Sequence, residues 1–550
     1  MANKKCEDNK VCEVSKVFEN FGRYQIIQYS LICFPAMFVT MININYIFAA
    51  GDINYRCRVN GCDDQGSSFN PAWWPNQTID RCSSPVLLED HTQPFCTNQS
   101  FSEELKTCTE WVYESNDTII AELNLACQPW KINLIGTIHS TGMLVSMIIS
   151  GWMSDRFGRM PTFIFCVCGG CIGLIKTFVT SYYVYVVIEF LEAAVTGGSY
   201  AAAMIASARH RLLSGVIFAY AIYLGECLFA VIAMFVPYWK TLLRIINGPL
   251  IFFISYIFII HESPRWQIVN GKIDKAKESI RRIAKMNRIN IDYEELDAIT
   301  DVDLKNKFDI AENQVKEGYG EIFKSKVILK RLLVVGMCRF TSSFVYYGLM
   351  INSVWLPGDK YVNFLLSTVM SFPGEIISLY LMNKYGRKIP LMAGYFISGT
   401  VCVISALVPD SYLWAKITLF LLGKVIISAC FTGAITYTME LFPTSVRGTL
   451  LGLGSFASRL GGMLAPLSPI LNTISTALPF TFFGCSAIIT SMSLFLTPET
   501  KNTPLHDTIK QVEESDRRRK EDKKEKEVAQ SMDTIRGELI AIYWSQFQFP

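Results

Sequence analysis

The sequence predicts an all-α membrane protein with twelve transmembrane helices in two pseudo-symmetric six-helix halves. Three observations lead to this prediction: the composition, a series of long apolar runs, and short patterns that occur once in each half. Apolar residues form 51% of the 550 residues and charged residues 18%, with a mean hydropathy of +0.27. Soluble domains carry about 25% charged residues. The net charge of +3 gives no indication of a nucleic-acid partner.

The chain begins with a polar segment, 1–23, which precedes the first apolar run at about 24–50. This segment lacks the short apolar core of a secretory signal peptide, and the run that follows is too long to be such a core. We therefore predict that the run is retained as the first transmembrane helix.

A helix needs roughly 20 apolar residues to cross the hydrocarbon core of a bilayer, and twelve runs meet that requirement. They lie at about 24–50, 132–151, 161–180, 182–206, 214–236, 242–260, 328–350, 361–382, 390–408, 413–438, 449–471 and 478–497. Short separations between some neighbours leave eleven or thirteen spans as alternatives. Basic residues follow the second, fourth, eighth and tenth spans: Arg156, Arg159, Arg209, Arg211, Lys384, Arg387, Lys388 and Arg447. This bias predicts that these loops and both termini are cytoplasmic.

The segment 51–130, between the first two spans, is predicted to face an oxidising extracellular or lumenal compartment. It contains three N-glycosylation patterns and six cysteines: Asn76, Asn98 and Asn116, and Cys57, Cys62, Cys82, Cys96, Cys108 and Cys127. Such a combination is typical of a secreted or extracellular segment, so we expect three disulfides. Six cysteines allow fifteen connectivities, and the sequence selects none of them. Their spacing is not typical of a zinc site.

Two charged segments accompany the second half. In segment 261–327, apolar residues recur at helical spacing between Ala276 and Met286, which predicts a small cytoplasmic helical bundle. The tail, 498–550, is highly charged through Lys526. That composition is typical of a solvated helix or of disorder, and a regulatory or scaffold contact is the alternative.

Three short patterns occur twice in the chain. The first is Phe157-Gly158-Arg159 with Pro161, which is repeated as Tyr385-Gly386-Arg387 with Pro390. The second is Arg211 with Gly215, which is repeated as Arg447 with Gly448 and Gly452. The third is Glu262-Ser263-Pro264-Arg265, which resembles Pro498-Glu499-Thr500-Lys501. Each copy follows the equivalent span of a six-span half, so residues 24–260 and 328–497 are predicted to be related. Duplicated halves that enclose a site near the bilayer midplane are typical of secondary transporters.

The stretch from Gly151 to Arg159 resembles the signature loop between helices 2 and 3 of the major facilitator superfamily. Glu262-Ser263-Pro264-Arg265-Trp266 and Pro498-Glu499-Thr500-Lys501 resemble signatures of its sugar porter and organic ion branches. Three features resemble the organic cation, organic anion and carnitine transporter family. They are the long cysteine-rich loop, the stretch Tyr346-Tyr347-Gly348, and the stretch Glu440-Leu441-Phe442-Pro443-Thr444. This resemblance implies the major facilitator fold and alternating-access transport of small organic ions.

The chain departs from that family's pattern in two of its spans. Glu189-Phe190-Leu191-Glu192-Ala193 stands where the family usually has Arg-Phe-Leu-Leu-Gly. Ser371 stands where the family usually has a glutamate, and Glu375 follows one helical turn later on the same face. In addition, the family's glutamate before the arginine between helices 4 and 5 is absent, and the stretch from Ala206 to Arg211 is shortened. This puts in doubt the family's usual cytoplasmic charge cluster in the first half.

Six charged residues are candidates for a cytoplasmic gate: Asp155, Arg156, Arg159, Arg387, Glu440 and Arg447. Ion pairs at these helix junctions can hold the gate closed, and they must break and re-form when the two halves rock. The alternative interpretation is that the basic residues only follow the positive-inside bias.

Ionisable residues inside the spans are costly and usually face a cavity. The candidates for substrate binding are Arg459, Lys424, Glu226, Arg339, Glu375 and Glu189, with Tyr346, Tyr347 and Tyr223 as aromatic walls. Polar stripes support them: Glu189, Glu192, Thr196 and Ser199 share one helical face, as do Arg339, Ser343 and a tyrosine. A structural ion pair between helices is the alternative for each charge. Lys176, near the outer end of the third span, is expected to snorkel to the interface.

Arg459 bears most directly on the charge of the substrate. The family resemblance implies an aspartate at this place in typical organic cation carriers and an arginine in anion and carnitine-type carriers. A buried arginine can bind a carboxylate or sulfonate through two hydrogen bonds, and Glu226 can meet an ammonium group or take up a proton. We therefore expect organic anions or carnitine-like zwitterions, with organic cations as the alternative.

Other classes of protein fit the sequence less well. It has no Gly-x-x-x-x-Gly-Lys-Ser/Thr phosphate loop and no paired histidines of a metalloprotease, so we expect no enzyme, no cofactor and no metal. A non-transporting receptor or sensor on the same fold stays as an alternative. A hexose carrier is disfavoured, since the tenth span offers Lys424 and Thr432 instead of several amides. We expect a plasma-membrane location, and leave open a co- or counter-transported ion and the oligomeric state.

Overall fold

A computed structural model describes residues 22–519 with gaps, of which the longest are 75–80, 88–95, 200–210, 290–295 and 305–318, and a few scattered residues beyond 519. Within these residues, eleven helices are long and apolar enough to cross a membrane. They are Arg23–Ala49, Pro129–Phe157, Arg159–Phe178, Gly215–Phe235, Trp239–Ile259, Lys326–Trp355, Lys360–Tyr385, Lys388–Leu407, Leu413–Leu441, Arg447–Asn472 and Leu478–Leu496. The predicted fourth span is described as the helix Tyr182–Thr196, and its continuation lies largely outside the described residues.

The two halves have the same internal packing. The first span packs against the fifth and the second against the fourth; correspondingly, the seventh packs against the eleventh and the eighth against the tenth. The contact between the third and sixth spans likewise corresponds to that between the ninth and twelfth. The halves meet where the second span contacts the eleventh and the fifth contacts the eighth. These four helices therefore border the space between the halves.

Equivalent glycines set the closest helix contacts in each half. A Cβ atom on Gly225 of the fifth span would lie 2.7 Å from the carbonyl oxygen of Met37 in the first span. A Cβ on Gly461 of the eleventh span would lie even closer to the carbonyl oxygen of Phe340 in the seventh. Small residues allow helix backbones in membranes to approach closely. The same device thus joins the same pair of helices in both halves.

The described residues of segment 51–130 form a disulfide-linked domain at one end of the bundle, which we call the outer domain. It has two antiparallel pairs of strands, Tyr55–Cys57 with Trp111–Tyr113 and Ser83–Leu87 with Phe101–Thr107. Its three disulfides are Cys57–Cys108, Cys62–Cys96 and Cys82–Cys127. The expectation of three disulfides is confirmed, and the structure supplies the connectivity that the sequence left open.

An arginine forms the centre of the outer domain. Arg56 is buried, forms an ion pair with Asp63 at 2.6 Å, and lies about equally close to the rings of Trp73 and Trp74. Of the three glycosylation candidates, Asn116 is exposed, whereas Asn76 and Asn98 lie outside the described residues. Glycosylation itself stays a prediction.

The described part of the linker between the halves contains helices and lies at the opposite end of the bundle, which we call the inner end. Its helices include Pro264–Val269, Ile273–Asn287 and Tyr319–Lys324. Ile280 and other apolar side chains form a separate buried core, against which Tyr24 packs. The side-chain oxygen of Asn287 accepts a hydrogen bond from the backbone N–H of Tyr24 at 2.9 Å. The linker therefore attaches to the start of the first span.

The beginning of the tail packs against the inner end of the second half. Residues 509–519 are helical, and Ile509 and Val512 are buried in the main core. Glu513 accepts a hydrogen bond from Ser325, and Asp516 lies 4.0 Å from Arg331. This stretch of the tail is therefore helical, as one alternative expected, and its apolar face is covered by the protein's own second half.

A glycine and a distant carboxylate form the same junction in both halves. Gly158 and Gly386 have φ angles of +113° and +101°, a conformation that favours glycine. After Gly158, the backbone N–H of Met160 donates to Glu262 at 3.1 Å. After Gly386, the N–H groups of Arg387 and Lys388 donate to Glu499 at 2.8 and 3.0 Å. A carboxylate thus satisfies the free N–H groups at the start of the third and ninth spans.

The two junction carboxylates differ in their ionisation. Burial raises the pKa of Glu262. Burial also opposes the ionisation of Glu499, but hydrogen bonds from the N–H groups of Arg387, Lys501, Lys388 and Thr500 outweigh burial and lower its pKa. The ionised form of Glu499 is therefore stabilised by folding, whereas that of Glu262 is not.

We expect Glu499→Gln to lower the thermal stability of the purified chain, by about 1–3 kcal/mol, because an amide NH₂ cannot accept from backbone N–H groups. Since folding lowers the pKa of Glu499, its contribution is complete above the unfolded-state value of about 4.3 and is lost as the pH falls through the lower folded value. The difference in Tm from the parent should therefore be largest at neutral pH. Glu262→Gln is the matched control, with a smaller expected effect; an equal effect of the two changes would contradict this interpretation.

Candidate functional site

Five charged side chains from five spans meet between the two halves. They are Glu226 of the fifth span, Arg339 of the seventh, Glu375 of the eighth, Lys424 of the tenth and Arg459 of the eleventh. With Tyr223, Tyr346 and Tyr347 they form what we call the central cluster, whose members interact electrostatically. Each charge lies near the middle of an apolar helix, where exposure to lipid is costly, so the side chain is directed inward.

Tyr346 joins an acidic and a basic member of the central cluster. Its hydroxyl donates to Glu226 at 3.4 Å and lies 3.3 Å from the hydroxyl of Ser371. The Lys424 ammonium donates to the backbone carbonyl of Tyr346 at 3.1 Å and lies 3.3 Å from the centroid of its ring. Glu226 and Lys424 therefore compensate each other electrostatically around one aromatic side chain, without a direct ion pair.

Glu375 is the second acid of the cluster, and neutral groups hold it. Its Oε2 atom accepts hydrogen bonds from Thr432 at 2.6 Å and Tyr223 at 3.5 Å. The Tyr223 ring packs edge-on against Phe372, and Tyr220 stacks on the same phenylalanine. Within the described residues, no lysine or arginine forms an ion pair with Glu375. Its carboxylate thus has an aromatic wall and unused capacity for a cation.

Arg339 and Arg459 form the basic side of the cluster. The Arg339 guanidinium lies 5.6 Å from the centroid of the Phe431 ring, and its Nη1 atom is buried without a hydrogen-bond partner. Arg459 reaches the first half, where its Nη1 atom is 3.7 Å from the sulfur of Met143. The two guanidinium groups repel each other, and both interact with Tyr347. Neither forms an ion pair with a carboxylate in the part of the chain that the structure describes.

The cluster therefore has an excess of positive charge. Its three cations face two carboxylates, and the carboxylates are bound to tyrosine and threonine hydroxyls rather than to the arginines. A buried guanidinium with an unused donor is suited to a carboxylate or sulfonate. An ammonium group can be held by a carboxylate and by aromatic rings. The site can hold an anion at the arginines and a cationic group at Glu375.

A second charged cluster, which we call the first-half cluster, lies inside the first half. Lys176 donates to Glu189 at 2.7 Å and to Glu192, and the Nδ1 atom of His139 is 2.7 Å from Glu189. All four side chains are buried. The expectation that Lys176 snorkels is wrong, because the third span ends in a 3-10 helix, Gly170–Phe178, from which Lys176 meets the two acids.

Glu189 is thus the one substrate-binding candidate that the structure places outside the central cluster. Its carboxylate is occupied by Lys176 and His139, as the ion-pair alternative expects. The other eight candidates are brought together in the central cluster.

Sequence reasoning missed His139, although a lone histidine in an apolar run is itself an ionisable residue in a span. It also missed Phe372 and Phe431, because phenylalanines in apolar helices carry no signal of their own.

A cavity of about 790 Å³ lies between the halves beneath the outer domain. Its polar lining includes Asn352 and Asp52, and Asp52 forms an ion pair with Arg81 at 3.0 Å. Tyr46 also lines this cavity and interacts electrostatically with Tyr347 of the central cluster. The cavity therefore approaches the central cluster from the outer side, while the cluster's acids are buried from solvent.

The six gate candidates lie at the inner end, in two groups. In the second half, Arg387 donates to Glu440 at 2.9 Å, Thr500 donates to the same carboxylate at 2.7 Å, and Arg447 donates to the Phe442 carbonyl. In the first half, Asp155 and Arg156 are exposed and Arg159 is partly buried. The Arg387–Glu440 ion pair lies within one half, so a gating role for these residues stays a prediction.

The family model described as sugar (and other) transporter matches residues 92–539. The organic cation transporter protein of Drosophila melanogaster is 28% identical over 90% of this chain and 92% of its own length. Solute carrier family 22 member 6-A of Xenopus laevis is 29% identical, over 92% and 94%. Solute carrier family 22 member 3 of Rattus norvegicus is 26% identical, over 90% and 94%.

Solved structures agree with the chain in fold. The partially occluded inward-open xylose transporter XylE from E. coli has a TM-score of 0.55 at 14% identity, covering 87% of this chain and all of that one. The major facilitator superfamily proton:xylose symporter XylE with bound 6-bromo-6-deoxy-D-glucose has a TM-score of 0.53 at 16% identity, with coverage of 89% and 99%. The predicted major facilitator fold is confirmed.

We expect Lys424→Met to destabilise the purified chain by about 3–5 kcal/mol, because it leaves Glu226 buried without an opposing charge. The double change Glu226→Gln/Lys424→Met removes both charges and should recover most of that loss. Thermal unfolding of the full chain in detergent measures both variants. Glu375→Gln serves as the control, since no cation depends on Glu375, and should change Tm little. A double variant no more stable than Lys424→Met would show that the two charges are not coupled.

Proposed function

Because the chain belongs to the sugar (and other) transporter family, we propose that it carries small organic ions across the plasma membrane by alternating access, with a preference for organic anions or zwitterions. It is a multi-pass membrane transporter with the major facilitator fold and not an enzyme. The name of the Drosophila relative supports organic ions as the substrate class. The two halves, with charged residues buried where they meet, support a site reached alternately from either side.

The preference for anions depends on Arg339 and Arg459. Two guanidinium groups that repel each other in a buried site, with no carboxylate in ion-pair contact among the described residues, are stabilised by a ligand of negative charge. The spare Nη1 donor of Arg339 gives such a ligand a hydrogen bond that the protein alone does not satisfy. A carboxylate or sulfonate can accept two hydrogen bonds from the two coplanar N–H groups of a guanidinium. Such a group therefore suits the site better than a halide ion.

A zwitterion can use the other side of the same cluster. Glu375 has only hydroxyl partners among the described residues, and Tyr223 and Phe372 lie beside it. A quaternary ammonium group can rest against such rings and a carboxylate. Carnitine-like molecules, which carry both charges, therefore fit the arrangement of arginines and acid.

Transport of organic cations is the second candidate function. The printed name of the Drosophila relative specifies organic cations, and Glu226 and Glu375 supply two buried carboxylates. In this case the arginines would serve to balance the acids when the site is empty. A receptor that binds without transporting is separated from both functions by a test of accumulation.

The orientation and location in the cell belong to the same proposal. Disulfides form on the oxidising side of a membrane, so we place the outer domain outside the cell and both termini in the cytoplasm. The exposed position of Asn116 in the outer domain supports its glycosylation. The Arg387–Glu440 pair and Asp155, at the inner end, are then the cytoplasmic gate candidates.

We expect cells that express the chain to accumulate para-toluenesulfonate or carnitine, and Arg459→Ala and Arg459→Asp to abolish this uptake. Loss of one charge-assisted pair costs roughly 2–3 kcal/mol, or about 30- to 150-fold in affinity. Uptake of the radiolabelled compounds and of tetraethylammonium measures the result, with surface biotinylation to confirm equal amounts of protein. Arg517→Ala, exposed in the helical start of the tail, is the matched arginine control, because it should leave the apparent affinity for substrate unchanged.

Tetraethylammonium uptake that neither Arg459 variant changes would overturn the preference for anions and leave an organic cation transporter. Saturable binding of any of the three compounds without accumulation would favour the receptor alternative.

A further inference from the structure

We propose that the first-half cluster of His139, Lys176, Glu189 and Glu192 binds a proton and couples substrate transport to a proton gradient. The inference rests on the proposed function, because coupling requires a substrate that moves. It assigns a second ligand, a proton, to residues that lie apart from the central cluster. The proton would then bind within the first half, and the substrate would bind between the two halves.

The charges of the first-half cluster do not balance unless it holds one proton more than the ammonium group of Lys176 and a neutral imidazole supply. Two carboxylates, Glu189 and Glu192, share one ammonium group, Lys176, and all three side chains are completely buried. With a neutral His139, the cluster has a net charge of −1 in a medium of low dielectric constant, so balance requires one further proton, held by His139 or by a carboxylate. A permanent structural ion pair needs only one acid for its base. The second acid gives the cluster two states that differ by one proton.

Unpaired buried atoms show that Glu192 is the acid with an unused carboxylate oxygen, where a proton can be held. One of its carboxylate oxygens, Oε1, is buried without a hydrogen-bond partner, and so are both amide atoms of Asn247 in the sixth span. The two side chains border the same point: a Cβ atom on Gly173 would lie 2.7 Å from the Asn247 amide nitrogen and still closer to Glu192 Oε1. The Asn247 amide can present its NH₂ group to an ionised Oε1 or, after a half-turn about its terminal bond, its oxygen to a protonated Oε1.

A route for the proton leads from the outer cavity to the cluster. Tyr46 and Gly136 line the cavity, and the Tyr46 ring packs against His139 with 5.8 Å between centroids. His139 lies one helical turn after Gly136 and has its Nε2 atom 3.3 Å from the side-chain oxygen of Asn43. Its Nδ1 atom contacts Glu189, which Lys176 joins to Glu192. Histidine is suited to pass protons because it titrates near neutral pH.

The remaining groups around the cluster do not supply the missing charge. Tyr185 on the fourth span, Tyr46 on the first and Cys171 on the third are the other titratable side chains that interact with its carboxylates. Among the described residues, these neighbours add no further acid or base of the strength of a carboxylate or an amine. Tyr46 interacts with both Glu189 and Tyr347, so a single side chain separates the cluster from the interface between the halves.

The test uses the purified full chain in liposomes and three probes whose charges do not change near neutral pH: para-toluenesulfonate, tetraethylammonium and carnitine. Two assays are compared, counterflow exchange without a pH difference and net uptake driven by a pH difference of one unit, acid outside. One proton per substrate allows up to about tenfold accumulation from such a gradient. Glu192→Gln is the isostere of the protonated acid and should fold; it should retain exchange and lose the response to the gradient.

Two further variants complete the design. His139→Gln keeps a side chain that can bond to Glu189 and Asn43 but cannot be charged, so it should reduce gradient-driven uptake more than exchange. Glu114→Gln, an exposed glutamate in the outer domain, should behave like the parent.

A parent that exchanges a probe but does not respond to the pH difference would overturn the inference and leave the proposed function intact. Gradient-driven uptake that survives in Glu192→Gln would do the same. If no probe is exchanged, the proposed function fails, and infrared spectra of the purified chain then decide the inference alone. A protonated-carboxyl band that changes with pH and is absent in Glu192→Gln would support the proton site, and its absence from the parent would refute it.

Discussion

A charge in the middle of a membrane-spanning helix must find its compensation inside the protein, and this constraint shapes both clusters described above. Water is absent from the bilayer core, so each ionised side chain that stays unpaired there costs several kcal/mol. Glu226 and Lys424 meet the constraint around the ring of Tyr346, and Lys176 meets it with two acids. Among the described residues, Arg339 and Arg459 have no carboxylate of their own in ion-pair contact. The groups with incomplete compensation are therefore the ones expected to take a ligand.

The two halves satisfy the constraint in different ways although their backbones pack alike. Equivalent glycines, Gly225 and Gly461, bring equivalent helices together, and equivalent carboxylates, Glu262 and Glu499, close equivalent junctions. The first half keeps most of its charges within its own helices, whereas the second half directs four of the five central charges to the interface. This division underlies our proposals that the substrate binds between the halves and that a proton binds within the first half.

Much of the fold could be predicted from the sequence, because hydropathy and length determine spans directly. The structure places the first span at Arg23–Ala49 and the tenth at Leu413–Leu441, within a few residues of the prediction. The rule that buried ionisable residues line cavities also found most of the central cluster. It could not determine whether Glu189 would meet a substrate or a lysine, since that depends on how the end of the third span turns Lys176. The disulfide connectivity and the contact of the tail helix likewise depend on three-dimensional packing that no local pattern contains.

The most direct test of the central claim, that a buried anion-binding site lies between the halves, is an electron cryomicroscopy structure of the full chain with para-toluenesulfonate. We predict density for the sulfonate between the guanidinium groups of Arg339 and Arg459, with Tyr347 beside it. Density confined to the outer cavity near Arg81, or a cluster in which both arginines stay unoccupied at saturating ligand, would contradict this claim.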